Sequence, residues 1–407
     1  MYIKRHMADV IEKAKNNFPS VLVTGARQVG KSTLLKNTVG DSAEYVTLDD
    51  YFILEKVKQD PLGFVRESST PVIIDEVQYA PDIFRGIKLI IDKTQKNGQY
   101  FMTGSQSFRM MKGVSESLAG RVAILSLHGL SDREIENEDF NKPFMPVTEY
   151  LKDRNPKRKM DFKVLWERIH RGSLPALYAN PNIKTEDYYS SYLKTYIERD
   201  VRDLSQVGDE LAFMQFVTAL AARTGELLNI ASIARDVGVS EPTIKKWISI
   251  LEASNIIYLL QPFSLNIKSR VVKTPKVYFF DTGLVCYLCK WNTPEQLKNG
   301  AQAGGIFETY VVGEIMKSYY NAGIEPPVYF YRDTNSKEID LLFFQGGTLY
   351  PVEIKKTSSP NIADVKHFKA LKTAFPSLLI GEGGLICTYD KVLSIDSQNK
   401  IIPLNWI

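Results

Sequence analysis

A glycine-bracketed segment near the N-terminus, GARQVGKS, combines residue types and a spacing that could bind phosphate. It runs from Gly25 to Ser32 and matches the pattern G-x-x-x-x-G-K-[ST] at every fixed position. Glycines let backbone N–H groups turn toward phosphate oxygens, the lysine can reach the β- and γ-phosphates, and the serine hydroxyl can bind Mg²⁺. We therefore predict a nucleoside triphosphate site, with ATP as the expected ligand. Its predicted binding residues are Gly25, Ala26, Arg27, Gln28, Val29, Gly30, Lys31, Ser32 and Thr33.

An acidic pair follows an apolar run in VIIDE, residues 72–76. If the apolar run is a buried strand, Asp75 lies at its carboxyl end and can hold Mg²⁺ together with Ser32. Glu76 is then placed to act as general base on an attacking water. Such a pair can also be a plain helix cap. The phosphate-binding pattern upstream favours the catalytic interpretation.

Two weaker candidates follow the next apolar runs. In TGSQS, the side chain of Ser105 or Thr103 could orient a water beside the γ-phosphate, although an ordinary turn after a strand has the same composition. In LAGRV, Arg121 could stabilise the transferring phosphoryl group on a neighbouring copy of the chain. An isolated surface arginine is an equally good interpretation.

The C-terminal part contains acidic residues in a pattern typical of nucleases. Asp340 lies in EIDLLF, Glu353 and Lys355 lie in VEIK, and Glu308 lies upstream on a predicted helix. The carboxylates could bind a divalent ion while Lys355 activates water for phosphodiester cleavage. Alternating charges on a strand are also common on a solvated face. Both interpretations stay open, and retained cleavage is less favoured than descent from a nuclease fold.

Residues 211–275 contain two short amphipathic helices separated by a glycine turn, followed by an apolar strand. This order predicts a winged helix. Its second helix would expose Thr243, Lys245 and Lys246, which could contact the phosphates or bases of double-stranded DNA. Modules of this kind also dock proteins, so both kinds of partner remain open.

The elements that must position these residues follow from five apolar runs, at 20–24, 44–48, 71–75, 99–103 and 122–127. Short continuous apolar runs that alternate with helical stretches predict buried parallel strands of an α/β fold with helices on both faces.

The composition sets the broad class of the protein. The chain has 407 residues, of which 44% are hydrophobic and 24% charged, with a net charge of +4. These values predict a globular protein of two or three domains, and so small a charge permits contact with nucleic acid without requiring it. No run reaches about 18 apolar residues, so we expect no membrane span. Three cysteines are too few for a disulfide framework, which favours a reducing, cytoplasmic location.

Several strings resemble one prokaryotic family, namely GARQVGKST, PVIIDEVQ, TGSQS, SLAGRV, YIERDV, FFDTGL and VEIK. The family comprises AAA+-like P-loop ATPases with an uncharacterised C-terminal domain that is distantly similar to restriction-endonuclease folds. The resemblance implies the nucleotide role for the loop, the Mg²⁺ and water roles for Asp75 and Glu76, a sensor role for Ser105 and a finger role for Arg121. No clear second sensor arginine occurs in residues 130–205.

The expected organisation has four parts. Residues 1–135 are an AAA+-like ATPase core, 136–210 a helical lid or connector, 211–275 a winged helix and 276–407 a restriction-endonuclease-like α/β domain. The expected function is Mg²⁺-dependent ATP binding and hydrolysis coupled to DNA binding or remodelling. The alternative is a nucleotide-dependent switch that docks a protein partner and carries an inactive nuclease-like tail. A homo-oligomer is compatible with either function, since an arginine finger needs a neighbour.

Overall fold

A parallel sheet forms the N-terminal part of the computed structural model, which describes residues 2–105, 108–157, 161–197, 210–265, 274–335 and 337–407. All its strand pairs are parallel, and the strand order is β2-β3-β4-β1-β5. The strands are Ser20–Thr24 (β1), Glu44–Thr47 (β2), Val72–Asp75 (β3), Tyr100–Gly104 (β4) and Val122–Ser126 (β5). The five apolar runs of the sequence are therefore the five strands, as predicted.

Helices cover both faces of this sheet because its residues alternate between two apolar clusters. Val21 and Val23 face a cluster that includes residues of the first two helices, and Leu22 faces a cluster that includes residues of the fourth to sixth. The helices are Met7–Asn17 (α1), Lys31–Val39 (α2), Tyr51–Gln59 (α3), Pro61–Glu67 (α4), Ile83–Thr94 (α5), Phe108–Ser117 (α6) and Asp132–Ile135 (α7).

The middle of the chain is mainly helical, as the sequence indicates. Its helices are Thr148–Asp153 (α8), Phe162–Arg171 (α9), Pro175–Ala179 (α10), Thr185–Tyr192 (α11), Glu210–Ala221 (α12), Ile230–Val237 (α13) and Glu241–Ala253 (α14). A π-helical turn, Leu193–Ile197, extends α11. Residues 198–209 of the expected connector, including most of the YIERDV string, lie outside the described residues.

The two helices expected in the winged-helix segment are present, with local signals that explain their ends. The side chain of Asn229 accepts from Ser232 N at the start of α13, and Gly238 ends that helix with a φ of 78°. Ser240 then accepts from Thr243 N at the start of α14. Ile257–Leu260 (β6) pairs antiparallel with Lys276–Phe279 (β7), and residues 266–273 between them lie outside the described part. The expected boundary at 275/276 thus falls between two paired strands.

The C-terminal part is a mixed sheet packed against helices. Its helices are Thr282–Leu288 (α15), Pro294–Asn299 (α16), Ala303–Tyr320 (α17) and Ala370–Ala374 (α18). Its strands are Val328–Arg332 (β8), Glu338–Gln345 (β9), Thr348–Lys355 (β10), Leu379–Ile380 (β11), Gly383–Cys387 (β12), Leu393–Ser394 (β13) and Asn399–Pro403 (β14). The strands β8, β9 and β10 pair antiparallel, whereas β10, β12 and β14 pair parallel. None of the helices in the described ranges is long and apolar enough to cross a membrane.

A buried ion pair fastens the N-terminal segment to α7, the helix that follows the first sheet. Arg5 Nε lies 3.0 Å from Glu134 Oε1, and both side chains are almost completely buried. The Arg5 guanidinium also donates to the carbonyls of Val29 and His128, at 2.8 and 2.7 Å. Burial would raise the pKa of Glu134, but Arg5, His6 and backbone N–H groups outweigh it and hold that pKa below its usual value.

We expect Glu134→Gln to lower the free energy of unfolding by about 3–5 kcal/mol, because Arg5 would stay buried without its counter-charge. Denaturant unfolding followed by circular dichroism measures this. Asp139→Asn is the matched control, since it removes an exposed partner of Lys4 and should change stability little. Equal losses in the two variants would contradict the buried role of Glu134.

The effect of Glu134→Gln on the free energy of unfolding should also depend on pH. The folded-state pKa of Glu134 lies below its ordinary value of 4.5. Its stabilisation is therefore complete above that pH and is lost as the pH falls through the folded-state pKa. Denaturant unfolding at several pH values should show that the stability difference between wild type and Glu134→Gln shrinks in acid. A difference that stays constant would contradict stabilisation by the ionised carboxylate of Glu134.

Candidate functional site

The phosphate-binding pattern forms a tight loop between β1 and α2. Gly25 has a φ of 148°, and a Cβ atom there would overlap the carbonyl oxygen of Leu127. Gly30 has a φ of 93° and lies immediately before α2. Both positions therefore require glycine, and the loop leads directly into a helix N-terminus, whose N–H groups favour anions.

Lys31 lies inside this loop and is not a surface side chain. Lys31 is only 5% exposed, and its Nζ donates to the carbonyl oxygens of Gly25 and Ala26 at 3.0 and 2.9 Å. An ammonium group held among the loop carbonyls is within reach of any anion that the loop N–H groups bind.

Asp75 is the carboxylate on which the site converges. It is buried at the carboxyl end of β3, and Ser32 Oγ donates to its Oδ1 at 2.7 Å. Thr103 Oγ1 donates to the same oxygen, and Tyr45 OH donates to Oδ2 at 2.8 Å. The hydroxyl of Ser32 and the carboxylate of Asp75 are oxygen donors suited to Mg²⁺, so these two residues could hold it.

Tyr45 was not identified from the sequence. It lies on the edge strand β2, and the ammonium of Lys36 lies 3.4 Å from its ring centroid. Burial, followed by the hydrogen bond to Asp75, raises the pKa of Tyr45. A phenol that stays protonated remains a donor to Asp75.

Glu76 follows Asp75 in a left-handed conformation, with φ 60° and ψ 44°. A non-glycine residue in this region is strained, and such strain concentrates at functional sites. Its backbone N–H donates to Thr103 Oγ1 at 3.2 Å, and Gln78 Nε2 donates to its carboxylate. Gln78, which the sequence reasoning missed, therefore orients the carboxylate of Glu76.

The two weaker candidates occupy opposite edges of the sheet. Ser105 is buried directly after β4, at the carboxyl edge that also carries Asp75. Gln106 and Ser107 of the same run lie outside the described residues. Arg121 precedes β5 at the amino edge, where Val122 is level with Ser20.

Arg121 is engaged within its own chain. Its Nε and Nη2 atoms lie 2.6 and 3.2 Å from the two carboxylate oxygens of Asp92. The strand β1 has five residues and spans about 15 Å, and this distance separates Arg121 from the loop. Arg121 therefore does not reach the phosphate loop of its own chain.

Residues from the middle of the chain contact the loop. Tyr188 on α11 donates to Gln28 Oε1. Its neighbour Tyr189 donates to Asp281 Oδ1 at 2.6 Å, and Asp281 Oδ2 accepts from the backbone and hydroxyl of Ser173 at 2.7 and 2.8 Å. Asp281 also accepts from Leu284 N at the start of α15. Hydrogen bonds therefore connect the loop, α11 and the start of the C-terminal part.

The four residues of the nuclease-like pattern meet in a second cluster. Asp340 Oδ2 accepts from Ile354 N at 2.8 Å, and Lys355 Nζ lies 2.6 Å from Glu353 Oε1. Burial, followed by the charge of Asp340, raises the pKa of Glu308 to about 7 and that of Glu353 to about 8. The described part of the chain contains no group of three or more His, Cys, Asp or Glu side chains arranged to hold a metal ion.

A lysine that the sequence reasoning did not consider completes this cluster. Lys276 Nζ lies 2.6 Å from Glu338 Oε1, 3.2 Å from Glu308 Oε1 and 3.9 Å from Asp340 Oδ1. It lies far from these carboxylates in sequence and belongs to no motif, so only the fold could reveal it.

Comparison with known proteins divides the chain into three matched regions. Residues 17–136 match the family model of an AAA domain. Residues 163–295 and 303–407 match two different domains of unknown function, DUF8612 and DUF4143. The AAA match agrees with the predicted AAA-like ATPase core, while the restriction-endonuclease-like assignment stays a prediction.

Relatives extend over nearly the whole chain. Uncharacterised proteins of Mycobacterium bovis and Mycobacterium tuberculosis are each 29% identical over 406 residues, covering 99% of this chain and 84% of theirs. Among solved structures, the Walker-type ATPase PABY2304 of Pyrococcus abyssi is 14% identical, covers 70% of this chain and 96% of its own, and has a TM-score of 0.44. The RuvB Holliday junction branch migration motor of Thermotoga maritima is 15% identical, covers 62% and 86%, and has a TM-score of 0.28.

We expect Gly25→Ala to destabilise the loop more than Gly40→Ala does. Both glycines have a positive φ, at 148° and 90°, but a Cβ atom at Gly40 has no atom within 4 Å. The positive φ, with a ψ of 176°, alone should cost Gly40→Ala about 1–3 kcal/mol. Overpacking against Leu127 O should add about 1–3 kcal/mol at Gly25. Unfolding free energies of both variants test this, and equal losses would contradict the close approach.

Proposed function

We propose that residues 25–33 bind ATP together with Mg²⁺ and that the chain hydrolyses the bound ATP. The hydrogen bond of 2.7 Å between Ser32 Oγ and Asp75 Oδ1 carries the proposal. It joins the end of the phosphate loop to a buried carboxylate two strands away in the sheet. The match of residues 17–136 to an AAA domain supports the same activity.

Each part of the site has a separate role in binding and hydrolysing ATP. Backbone N–H groups of the loop and of the first turn of α2 bind the phosphates, and Lys31 exchanges its loop carbonyls for phosphate oxygens. Ser32 and Asp75 would hold Mg²⁺, which would neutralise phosphate charge when bound. Glu76 accepts the proton of the attacking water, with its carboxylate oriented by Gln78. Ser105 lies at the same edge and positions the water, whereas the hydroxyl of Thr103 is bonded to Asp75 and to the backbone of Glu76.

Coupling to the rest of the chain would run through α11. The contact of Tyr188 with Gln28 and the bonds of Tyr189 and Ser173 to Asp281 connect the loop to α15. A conformational change of the loop on binding ATP would therefore be transmitted through these hydrogen bonds to the start of the C-terminal part. In this proposal the DNA contact surface is formed by Lys245 and its neighbours on α14. Phe280, which precedes Asp281, connects to the end of this segment by donating to Ile256 O at 3.0 Å.

A nucleotide-dependent switch that docks a protein partner is the second candidate. The pairing of Arg121 with Asp92 favours it, because an arginine engaged in its own chain is not presented to a neighbour's phosphate loop. In this case turnover is slow, and α13, α14 and the tail serve as a docking surface.

Steady-state release of phosphate from ATP tests hydrolysis. We expect Lys31→Ala to abolish binding and turnover, and Glu76→Gln to bind ATP but to turn it over about 10²–10⁴-fold more slowly. Lys93→Ala, at an exposed position of α5, is the matched lysine control and should behave as wild type. Equal turnover in wild type, Lys31→Ala and Glu76→Gln would refute the hydrolysis.

Binding of double-stranded DNA at several salt concentrations separates the two candidates. If α14 contacts phosphates, affinity falls steeply with salt, and Lys245→Ala should weaken binding and reduce the salt slope by about 1. Lys13→Ala, at an exposed position of α1, is the matched control. Absence of binding at low salt, with and without ATP, would reject the DNA role and favour the switch.

A further inference from the structure

Lys276 joins two regions of the chain that match different family models. It begins β7 within the region 163–295, whereas Glu308, Glu338 and Asp340 belong to the region 303–407. The residue is 3% exposed, and its ammonium lies 2.6–3.9 Å from an oxygen of each of these three carboxylates. A buried lysine is stable only when it is paired in this way.

The backbone around Lys276 holds the ammonium in place. Its strand pairs with β6 at Leu260 and forms a bridge with Leu227. Val277 donates to Glu226 O at 3.0 Å and accepts from Gly225 N at 2.7 Å. The backbone at Lys276 is therefore fixed from two sides. A lysine on the surface is not fixed in this way and can pair with any nearby carboxylate.

The cluster still contains an incompletely paired carboxylate. Glu353 is 6% exposed, and its Oε1 pairs with Lys355, whereas Oε2 is buried and has no hydrogen-bond partner among the described residues. Tyr278 OH donates to Glu308 Oε1 at 2.5 Å. The acidic groups thus form a site that attracts a cation, and Lys276 supplies one.

A divalent ion does not fit this site while Lys276 occupies it. An ion bound by Glu308 and Asp340 would need their oxygens within about 2.0–2.6 Å. The ammonium already lies close to both carboxylates, and like charges at such a distance repel strongly in a buried site. The carboxylates predicted to form a nuclease-type metal site therefore bind the ammonium group of Lys276 instead of a metal ion.

We infer that Lys276 is the resident cation of the cluster of Glu308, Glu338, Asp340 and Glu353, that it excludes divalent metal from this cluster, and that it thereby locks the β6–β7 hairpin to the tail. The inference does not depend on ATP binding. With the hairpin in place, the tail binds no metal at Asp340 and does not cleave DNA by a metal-dependent route.

Binding of Mn²⁺ without nucleotide, measured by electron paramagnetic resonance, tests the exclusion. Wild type and Asp340→Asn should bind the same amount of Mn²⁺. Lys276→Met, which keeps the side-chain length and removes the charge, should gain about one Mn²⁺ per chain at millimolar concentration. The double variant Lys276→Met with Asp340→Asn should lose that gain, and Lys276→Arg should resemble wild type.

Two results would overturn the inference. One is a Mn²⁺ site in the wild type that Asp340→Asn abolishes, which can be measured even if Lys276→Met does not fold. The other is a folded Lys276→Met variant that gains no Mn²⁺. Hydrogen exchange tests the lock: residues 257–260 should exchange faster in Lys276→Met than in Lys355→Met, because the side chain of Lys355 is 42% exposed. Equal exchange in the two variants would contradict the lock.

Discussion

Parallel pairing of β1 with β4 and β5 is the constraint on which the candidate site depends. Thr24 is level with Gly104 on one side and with Ser126 on the other, and β3 runs in the same direction beside β4. Every strand therefore ends at the same edge. The loop after β1, the carboxylate after β3 and the hydroxyls at the end of β4 meet there although they are distant in sequence.

Charged side chains connect the larger regions of the chain. Arg5 and Glu134 fasten the N-terminal segment to α7, Asp281 connects α11 to α15, and Lys276 connects β7 to the tail. Each connection includes one group that makes several bonds, and for Arg5 and Lys276, which are buried, loss of a partner leaves charge buried. Apolar packing alone would tolerate sliding of these regions, whereas fixed hydrogen-bonding partners define one arrangement.

The sequence predicted the first sheet, its strands and the P-loop closely because each depends on local signals. An apolar run indicates a buried strand, and the fixed positions around Gly25 follow from backbone geometry. The acidic pair at Asp75 was found for the same reason. Tyr45 and Gln78 were missed because each acts through another side chain, and no spacing rule marks such a contact. Lys276 was missed because tertiary packing brings its partners to it from a helix and from a strand of another sheet.

The left-handed backbone of Glu76 has a consequence for how this position evolves. Such a conformation disfavours most side chains, by about 1 kcal/mol or more, and suits glycine best. A lineage selected for folding stability alone would drift toward glycine there. Glutamate at this position therefore carries a conformational cost that glycine would not, and the general-base role that we propose for its carboxylate accounts for that cost.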